Sequence, residues 1–356
     1  MKGIAINIKN TYIAGKDDSI CERTKVSIMI NIAIIGFGVV GSATYDVTVR
    51  NAELIEERVG VPVKVKKILD IRDFDNHPAR ELFTKDFEDI MKDPEISIVV
   101  ESIGGLRPAL EFTKAALTGG KSVVTSNKEI VAMHGRELTD IAKQKNVSYL
   151  FEASVGGGIP MIRPIKQCLA ANEIDEIFGI LNGTTNYILT KMREEGKPFA
   201  EALRDAQEKG YAELNPAADI EGYDTCRKMS ILSWVAFGKS IDIEKIDRKG
   251  ISEITAEDIE KAKAAGCAIK LVGRAKLIGG EVRCTVAPES VPMSDPLAIV
   301  DGVYNAVVIR SNFIGDTMLY GQGAGGKATA SAVMGDVIEI ARNTVSHTCM
   351  NRNDRC

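Results

Sequence analysis

The segment Asn31-Ile-Ala-Ile-Ile-Gly36-Phe-Gly38-Val-Val-Gly41 constrains the fold of this chain more than any other. An uninterrupted apolar run, Ile32 to Ile35, ends on a GxGxxG, and the residues beyond it carry Tyr45, Val49 and Leu54 at helical spacing within 42–59. Strand, tight turn and helix follow in order. Gly36 lets the chain turn, Gly38 lets the backbone approach a pyrophosphate, and Gly41 lets helix pack closely on strand, with the helix N-terminus facing the negative charge. The surroundings give the motif its weight. Val63 to Ile71, Ile96 to Val100 and Ser122 to Thr125 read as further strands, with helical stretches at 108–117 and 129–142. Such alternation predicts an α/β fold whose first part is a Rossmann-type doubly wound parallel sheet.

Beyond Gly158 the texture changes. Short apolar segments (Ile177 to Leu181, Ile269 to Val272, Val307 to Arg310) stand among longer helix-forming ones such as Phe199 to Lys209, which predicts a second α/β unit. Asn215-Pro216 reads as the start of a helix reaching about Phe237, and Thr255-x-x-Asp258 as another helix start, closed by Gly266.

Composition narrows the function classes. With 45% hydrophobic and 26% charged residues in 356, the chain has enough core for two or three folded units. Its net charge of -4, with both signs interspersed, offers no basic footprint for nucleic acid. No apolar run reaches the roughly 20 residues that cross a bilayer, so no membrane partner is expected. Seven cysteines, odd in number and without a CxxC pair, suit neither a disulfide framework nor a zinc site and point to a reducing cytoplasm. Residues 1–29 lack a signal peptide's apolar stretch and cleavage site and form an extension without an assigned role.

The end of the second strand should select the cofactor, since an acid there binds a ribose hydroxyl and an arginine accommodates a 2′-phosphate. Both are present. In Leu69-Asp70-Ile71-Arg72-Asp73 the alternation puts Asp70 and Arg72 on one side, so NAD and NADP both stay open, with bidentate Arg72 favouring NADP.

Two polar segments follow. Phe151-Glu152-Ala-Ser-Val155-Gly-Gly157-Gly-Ile159-Pro160 sets one carboxylate before three glycines, and its exposed carbonyls are hard oxygen donors suited to a simple cation; a flexible hinge is the plainer reading. From Gly210 to Lys228 the chain holds Glu213, Asp219, Asp224 and Lys228. A surface i,i+4 ion pair would explain Asp224 and Lys228 but not the other acids. A substrate ammonium group held by carboxylates, with a lysine beside a carbonyl that gains charge, would use all four. Lys128, just after the strand ending at Thr125, stands where a parallel sheet presents ligand contacts.

These stretches, with Val-Val-Glu101-Ser102-Ile-Gly104-Gly105, Leu-Asn182-Gly183-Thr184-Thr185-Asn186-Tyr187 and Gly323-Ala324-Gly325, resemble homoserine dehydrogenase over nearly all of residues 31–342. The resemblance implies NAD(P)-dependent reduction of aspartate 4-semialdehyde to homoserine in threonine, methionine and isoleucine biosynthesis, by a homodimer. It implies a nucleotide-binding domain at 30–155 closed by 318–345, a substrate and dimerisation domain at 156–317, and a tail at 346–356. It gives Lys228 proton transfer and Lys128 substrate or carbonyl contact. It sets Glu213 against the substrate amino group, Asp219 and Asp224 around homoserine, and Asn182 and Thr184 beside them. Gly36, Phe37, Gly38, Val39, Val40, Gly41, Arg72, Ser102, Lys128 and Gly325 fall at cofactor positions. Glu152, Val155, Gly157 and Ile159 match positions that hold a monovalent cation, sodium or potassium. Asn215 stands where many relatives have Asp, and Lys327-Ala328 where a proline is common. With its end at Cys356, the chain is not expected to carry the ACT domain of many relatives, nor threonine feedback through it.

Overall fold

The computed structural model describes residues 29–353, with side chains up to 346. The extension at 1–28, the last three residues of the tail and Cys21 lie outside the described residues. The chain divides into two compact units, one comprising residues up to Thr125, Arg136–Leu150 and Val333 onward, the other Ser126–Gly135 and Phe151–Ala332.

The first unit follows the alternation of the sequence: β1 (Ile30–Ile35), α1 (Val39–Arg50), α2 (Ala52–Val59), β2 (Val63–Leu69), β3 (Phe83–Thr84), α3 (Glu88–Met91), β4 (Ile96–Glu101), α4 (Ala109–Thr118), β5 (Ser122–Thr125), α5 (Lys128–Lys145), whose start up to Gly135 belongs to the second unit, and β6 (Tyr149–Leu150). Six parallel strands lie in the order β3-β2-β1-β4-β5-β6, with the first-formed strand in the middle. Every residue of β1 is buried, which is why that strand is Ile and Ala at every position but Asn31 rather than an alternation. The helix expected over 42–59 is two helices, separated at Asn51.

The second unit runs β7 (Ile174–Ile180), α6 (Gly183–Glu195), α7 (Phe199–Glu208), α8 (Ala217–Ile220), α9 (Tyr223–Phe237), β8 (Asp247–Arg248), α10 (Ala256–Ala264), β9 (Cys267–Ile278), β10 (Glu281–Pro292), β11 (Tyr304–Ser311), β12 (Gly315–Gln322) and the start of α11 (Gly326–Asn353), which belongs to the first unit from Val333 onward. Its sheet, β12-β11-β7-β9-β10-β8, is antiparallel except for the two-residue pairing of β8 with β10. Gly273 in β9 lets α9 settle on this sheet, since a Cβ there would stand 2.6 Å from Met229 Cγ. The other face is covered in part by the turn Pro296–Ile299, which packs Leu297 and Ala298 with Phe178, Val272 and Val308.

Two expectations need adjustment and one holds. The single helix expected from Asn215 to Phe237 is broken at Gly222 (φ +81°) into α8 and α9, and Pro216 rather than Asn215 occupies the cap of the first piece. The helix starting at Thr255 forms as expected, its hydroxyl accepting from Asp258 N–H at 3.1 Å while the Asp258 carboxylate accepts from Thr255 N–H at 3.0 Å. At the C-terminal end, backbone helix continues to Asn353, past the position where the sequence suggests a tail. Among the described residues no helix is long and apolar enough to cross a membrane, and Cys168, Cys226, Cys267 and Cys284 are free thiols.

Candidate active site

In the first unit the glycine turn is tightly packed at Gly36 and Gly41 and open at Gly38. Gly36 has φ +89°, where L side chains strain, and a Cβ on it would press the Ile103 backbone at 3.0 Å. On Gly41 a Cβ would fall on the Gly36 carbonyl oxygen, whereas on Gly38 it would meet nothing. Gly38 caps α1 without a side chain, so the N–H groups of the first turn, including Val39 and Val40, face outward with the positive end of the helix dipole. Such a turn can hold a pyrophosphate. Ser102, just past the end of β4, holds the turn, donating its hydroxyl to Gly36 O at 2.8 Å and its N–H to Ile35 O at 2.9 Å.

Asp70 and Arg72 share a side of the strand end, as the alternation predicts, and they bind each other. Arg72 donates Nε to Asp70 Oδ1 and Nη2 to Oδ2, both at 2.9 Å, and Nη2 also to Phe37 O at 2.9 Å. Phe37 N–H donates to Asp70 Oδ2 at 2.7 Å, and the Phe37 ring packs edge-on to Phe83 and Phe74. The Arg72 hydrogen bonds outweigh burial and hold the Asp70 carboxyl down at about 2. Asp70 is thus buried and spoken for, while the Arg72 side chain stays 57% exposed. Of this pair, the group that meets solvent is the guanidinium.

The second unit assembles most of the acids and both lysines. Asn127 caps the start of α5, accepting from Glu129 N–H at 3.1 Å, and so presents Lys128. Asp224, 3% exposed in the first turn of α9, receives both lysines: Lys128 Nζ on Oδ1, and Lys228 Nζ on Oδ2 at 2.7 Å. Burial alone would raise its pKa, but the two ammonium groups override it and hold the carboxyl well below the usual range. Lys228 also donates to Leu181 O at 2.7 Å. Two of its three N–H groups are committed, and one is left for an oxygen from outside.

Asn182 joins the acids. Its Nδ2 donates to Asp219 Oδ1 at 2.7 Å and to Asp224 Oδ2 at 3.0 Å, while its Oδ1 accepts from Thr185 N–H at 2.9 Å and caps α6. Asp219 is pushed up, first by burial and then by the Asp224 charge, against the Asn182 hydrogen bond. Thr184 ties α6 to the next loop by donating to Tyr211 O at 2.7 Å. Glu213 lies on that loop but outside the network: it is exposed, and its carbonyl, not its carboxylate, accepts from Gln207 at 3.1 Å.

Around Glu152 the expected donor set changes. The carboxylate is 3% exposed and accepts from the N–H groups of Met161, Ile162 and Arg163 at 2.6, 2.7 and 2.7 Å, so it caps that turn. The main-chain carbonyls of Val155, Gly157 and Ile159 accept no hydrogen bond from the described residues. Neutral carbonyls in a buried turn fit an ion of single charge. Among the described residues, no group of three or more His, Cys, Asp or Glu is placed to hold a metal. Gly325, with φ +114°, opens α11 beside open space.

Glu101 went unassigned in the sequence. Wholly buried at the end of β4, it accepts from Ile103 N–H at 2.8 Å and from the Thr125 hydroxyl at 2.5 Å, and so shapes the loop that carries Ser102. An acid closing an otherwise apolar strand was its available signal.

Comparison with known proteins agrees with this geometry. A family model described as homoserine dehydrogenase matches residues 160–338, and one described as its NAD binding domain matches 36–152. The homoserine dehydrogenase of Bacillus subtilis is 38% identical over 318 residues, 88% of this chain and 73% of that protein. A crystal structure of a homoserine dehydrogenase from Thiobacillus denitrificans superposes with a TM-score of 0.85 at 42% identity, over 89% of this chain and 74% of that one. A hyperthermophilic archaeal homoserine dehydrogenase in complex with NADPH gives 0.75 at 32%, over 88% and 98%. On a match of this length to the family model, and relatives of this identity covered for nearly three quarters of their length, the chain belongs to the homoserine dehydrogenase family.

Proposed function

We propose that this chain reduces aspartate 4-semialdehyde to homoserine, and oxidises homoserine in reverse, with NADP preferred and NAD accepted. The observation that supports it best is Asp224, a buried carboxylate flanked by two lysines and joined through Asn182 to a second acid. When bound, the nicotinamide supplies the hydride that adds to the aldehyde carbon. Everything else falls to side chains. Lys228, fixed by Asp224 and Leu181 O, gives its remaining N–H to the aldehyde oxygen as negative charge develops there, and a proton passes from Nζ to that oxygen. Lys128, 40% exposed, contacts the same end of the substrate and is open to solvent protons. Asp219 and Glu213 hold the ammonium end, with Asn182 and Thr184 fixing the surrounding backbone. The glycine turn from Gly36 to Gly41 with Ser102 would hold the cofactor's pyrophosphate, and the carbonyls of Val155, Gly157 and Ile159 would hold a sodium or potassium ion.

The test is steady-state oxidation of homoserine with NAD and NADP side by side. No turnover with either would sink the reading.

Cofactor choice gives a sharper expectation. Because Asp70 is occupied by Arg72 and Phe37 N–H, it is poorly placed to serve a ribose hydroxyl, whereas Arg72, with Nε and Nη2 spent on Asp70 and Phe37 O, still has the two N–H groups of Nη1 to donate to a 2′-phosphate. Arg72→Ala should raise KM for NADP by roughly ten-fold or more and leave KM for NAD within about two-fold. Equal weakening of both cofactors would make Asp70 the ribose ligand instead.

We further propose a homodimer. The hairpin of β11 and β12 leaves Phe313 85% and Ile314 59% exposed at its turn and carries a stacked Tyr304–Tyr320 pair at its other end, apolar surface of the kind a second copy covers. Light scattering should give the mass of two chains. A monomer at micromolar concentration contradicts it.

A further inference from the structure

We propose that the edge segment 248–252 is a positioning element for the Asp219 and Asp224 carboxylates, acting through Arg248 and Gly250; the inference rests on the reading of those acids as part of the homoserine site. Asp219 sits in the last turn of α8 and Asp224 in the first turn of α9, so the corner between them sets the separation of the two carboxylates. One amide, Asn182 Nδ2, reaches both, which it can do only while the corner keeps its angle.

The corner does not hold itself. Gly222 turns it through φ +81°, a conformation with little intrinsic preference for one angle, and the end of α8 leaves the carbonyls of Ile220 and Glu221 without helical partners. Segment 248–252 supplies the partners. Ile251 N–H donates to Ile220 O at 2.8 Å, Arg248 Nη1 donates to Glu221 O at 2.5 Å, and the Ser252 hydroxyl donates to Glu221 Oε1 at 2.8 Å. The Arg248 guanidinium lies over the Tyr223 ring, 3.6 Å from its centroid, and so grips both sides of Gly222 at once. The clamp is itself anchored: Arg248 pairs with Val286 of β10, and Lys249 N–H donates to Val286 O at 2.8 Å.

Approach this close requires glycine. A Cβ on Gly250 would be driven into the Ile220 carbonyl oxygen and stand 2.7 Å from Glu221 Cα, both backbone atoms that cannot swing aside. Arg248 needs its planar fork, because lysine can keep the hydrogen bond to Glu221 O but cannot stack on Tyr223 in the same way.

The experiment compares the parent enzyme with Arg248→Met, Arg248→Lys and Gly250→Ala, measuring KM for homoserine, KM for NADP, kcat and the melting temperature. Arg248→Met should raise KM for homoserine roughly five-fold or more and leave KM for NADP within about two-fold, and Arg248→Lys should recover part of the loss. Gly250→Ala should show the same split more strongly where it folds; Arg248→Met and Arg248→Lys carry the test where it does not. A purely structural role would lower the melting temperature and the amount of active enzyme without moving either KM. That result, or a homoserine KM unchanged in both Arg248 variants of an active parent, overturns the clamp and leaves the functional reading standing. A parent that turns over no homoserine overturns both.

Discussion

Lys228→Ala is expected to fold and to bind the cofactor with KM within about two-fold of the parent, yet to lose on the order of 10² or more in kcat. The asymmetry follows from where the ammonium spends its hydrogen bonds. Two hold Lys228 to Leu181 O and Asp224, so the group is fixed before substrate arrives and its third N–H meets the reacting oxygen without reorganisation. Such a donor counts most when the oxygen gains charge, which is why the loss belongs in kcat rather than in binding. Asp224 keeps Lys128 as a partner in the variant, so the fold should survive. Steady-state kinetics in both directions decide the matter. A variant within a few-fold of the parent would remove Lys228 from the chemistry.

Asp224→Asn should be damaging in a different way. The amide keeps the shape but leaves Lys228, 10% exposed, without a counter-charge, a situation that costs about 3–5 kcal/mol when one member of a buried pair is removed. Lys128 adds little to that figure, since at 40% exposure water screens it. The pH dependence has a definite sign. Because the folded carboxyl titrates below its unfolded value, its stabilisation is complete above an unfolded pKa of about 4 and is lost as pH falls below that. Urea melts should therefore show the gap between parent and variant widest near neutrality and narrowing towards about pH 3. A gap under about 1 kcal/mol at neutral pH, or one indifferent to pH, would mean the two lysines do not depend on this charge.

What could be read from the sequence is what local pattern encodes. The strand before Gly36 and the parallel strands at Ile96 and Ser122 announce themselves because each is buried on both faces and so is rich in Ile and Val, while the glycine turn announces itself by its spacing. Strands β10 and β12 escaped that reading: one carries Pro288 and Pro292, the other begins and nearly ends in glycine. Pro288 is tolerated because β8 pairs with only two residues of β10 and leaves the rest an open edge. The break at Gly222 was equally hidden. An isolated glycine in a helical pattern costs only about 1 kcal/mol, and it is the approach of Gly250 and Arg248, some 25–30 residues later, that turns it into a corner. At the strand end the alternation correctly put Asp70 and Arg72 on one side, but no pattern says that two side chains so placed will bind each other.

The double duty of Asn182 has a consequence for folding cooperativity. One face of its amide starts α6 by accepting from Thr185 N–H, and the other draws the carboxylates of Asp219 and Asp224 together. The helix cannot fray at its first turn without loosening the acids, and the acids cannot part without tugging on the helix cap. Local opening at the start of α6 and disassembly of the site are thus one event rather than two, and anything that draws the acids closer, a bound cation from the substrate above all, slows that opening. The exchange of the Thr185 amide proton with solvent becomes a spectator's view of the site, read from a backbone position that touches no ligand.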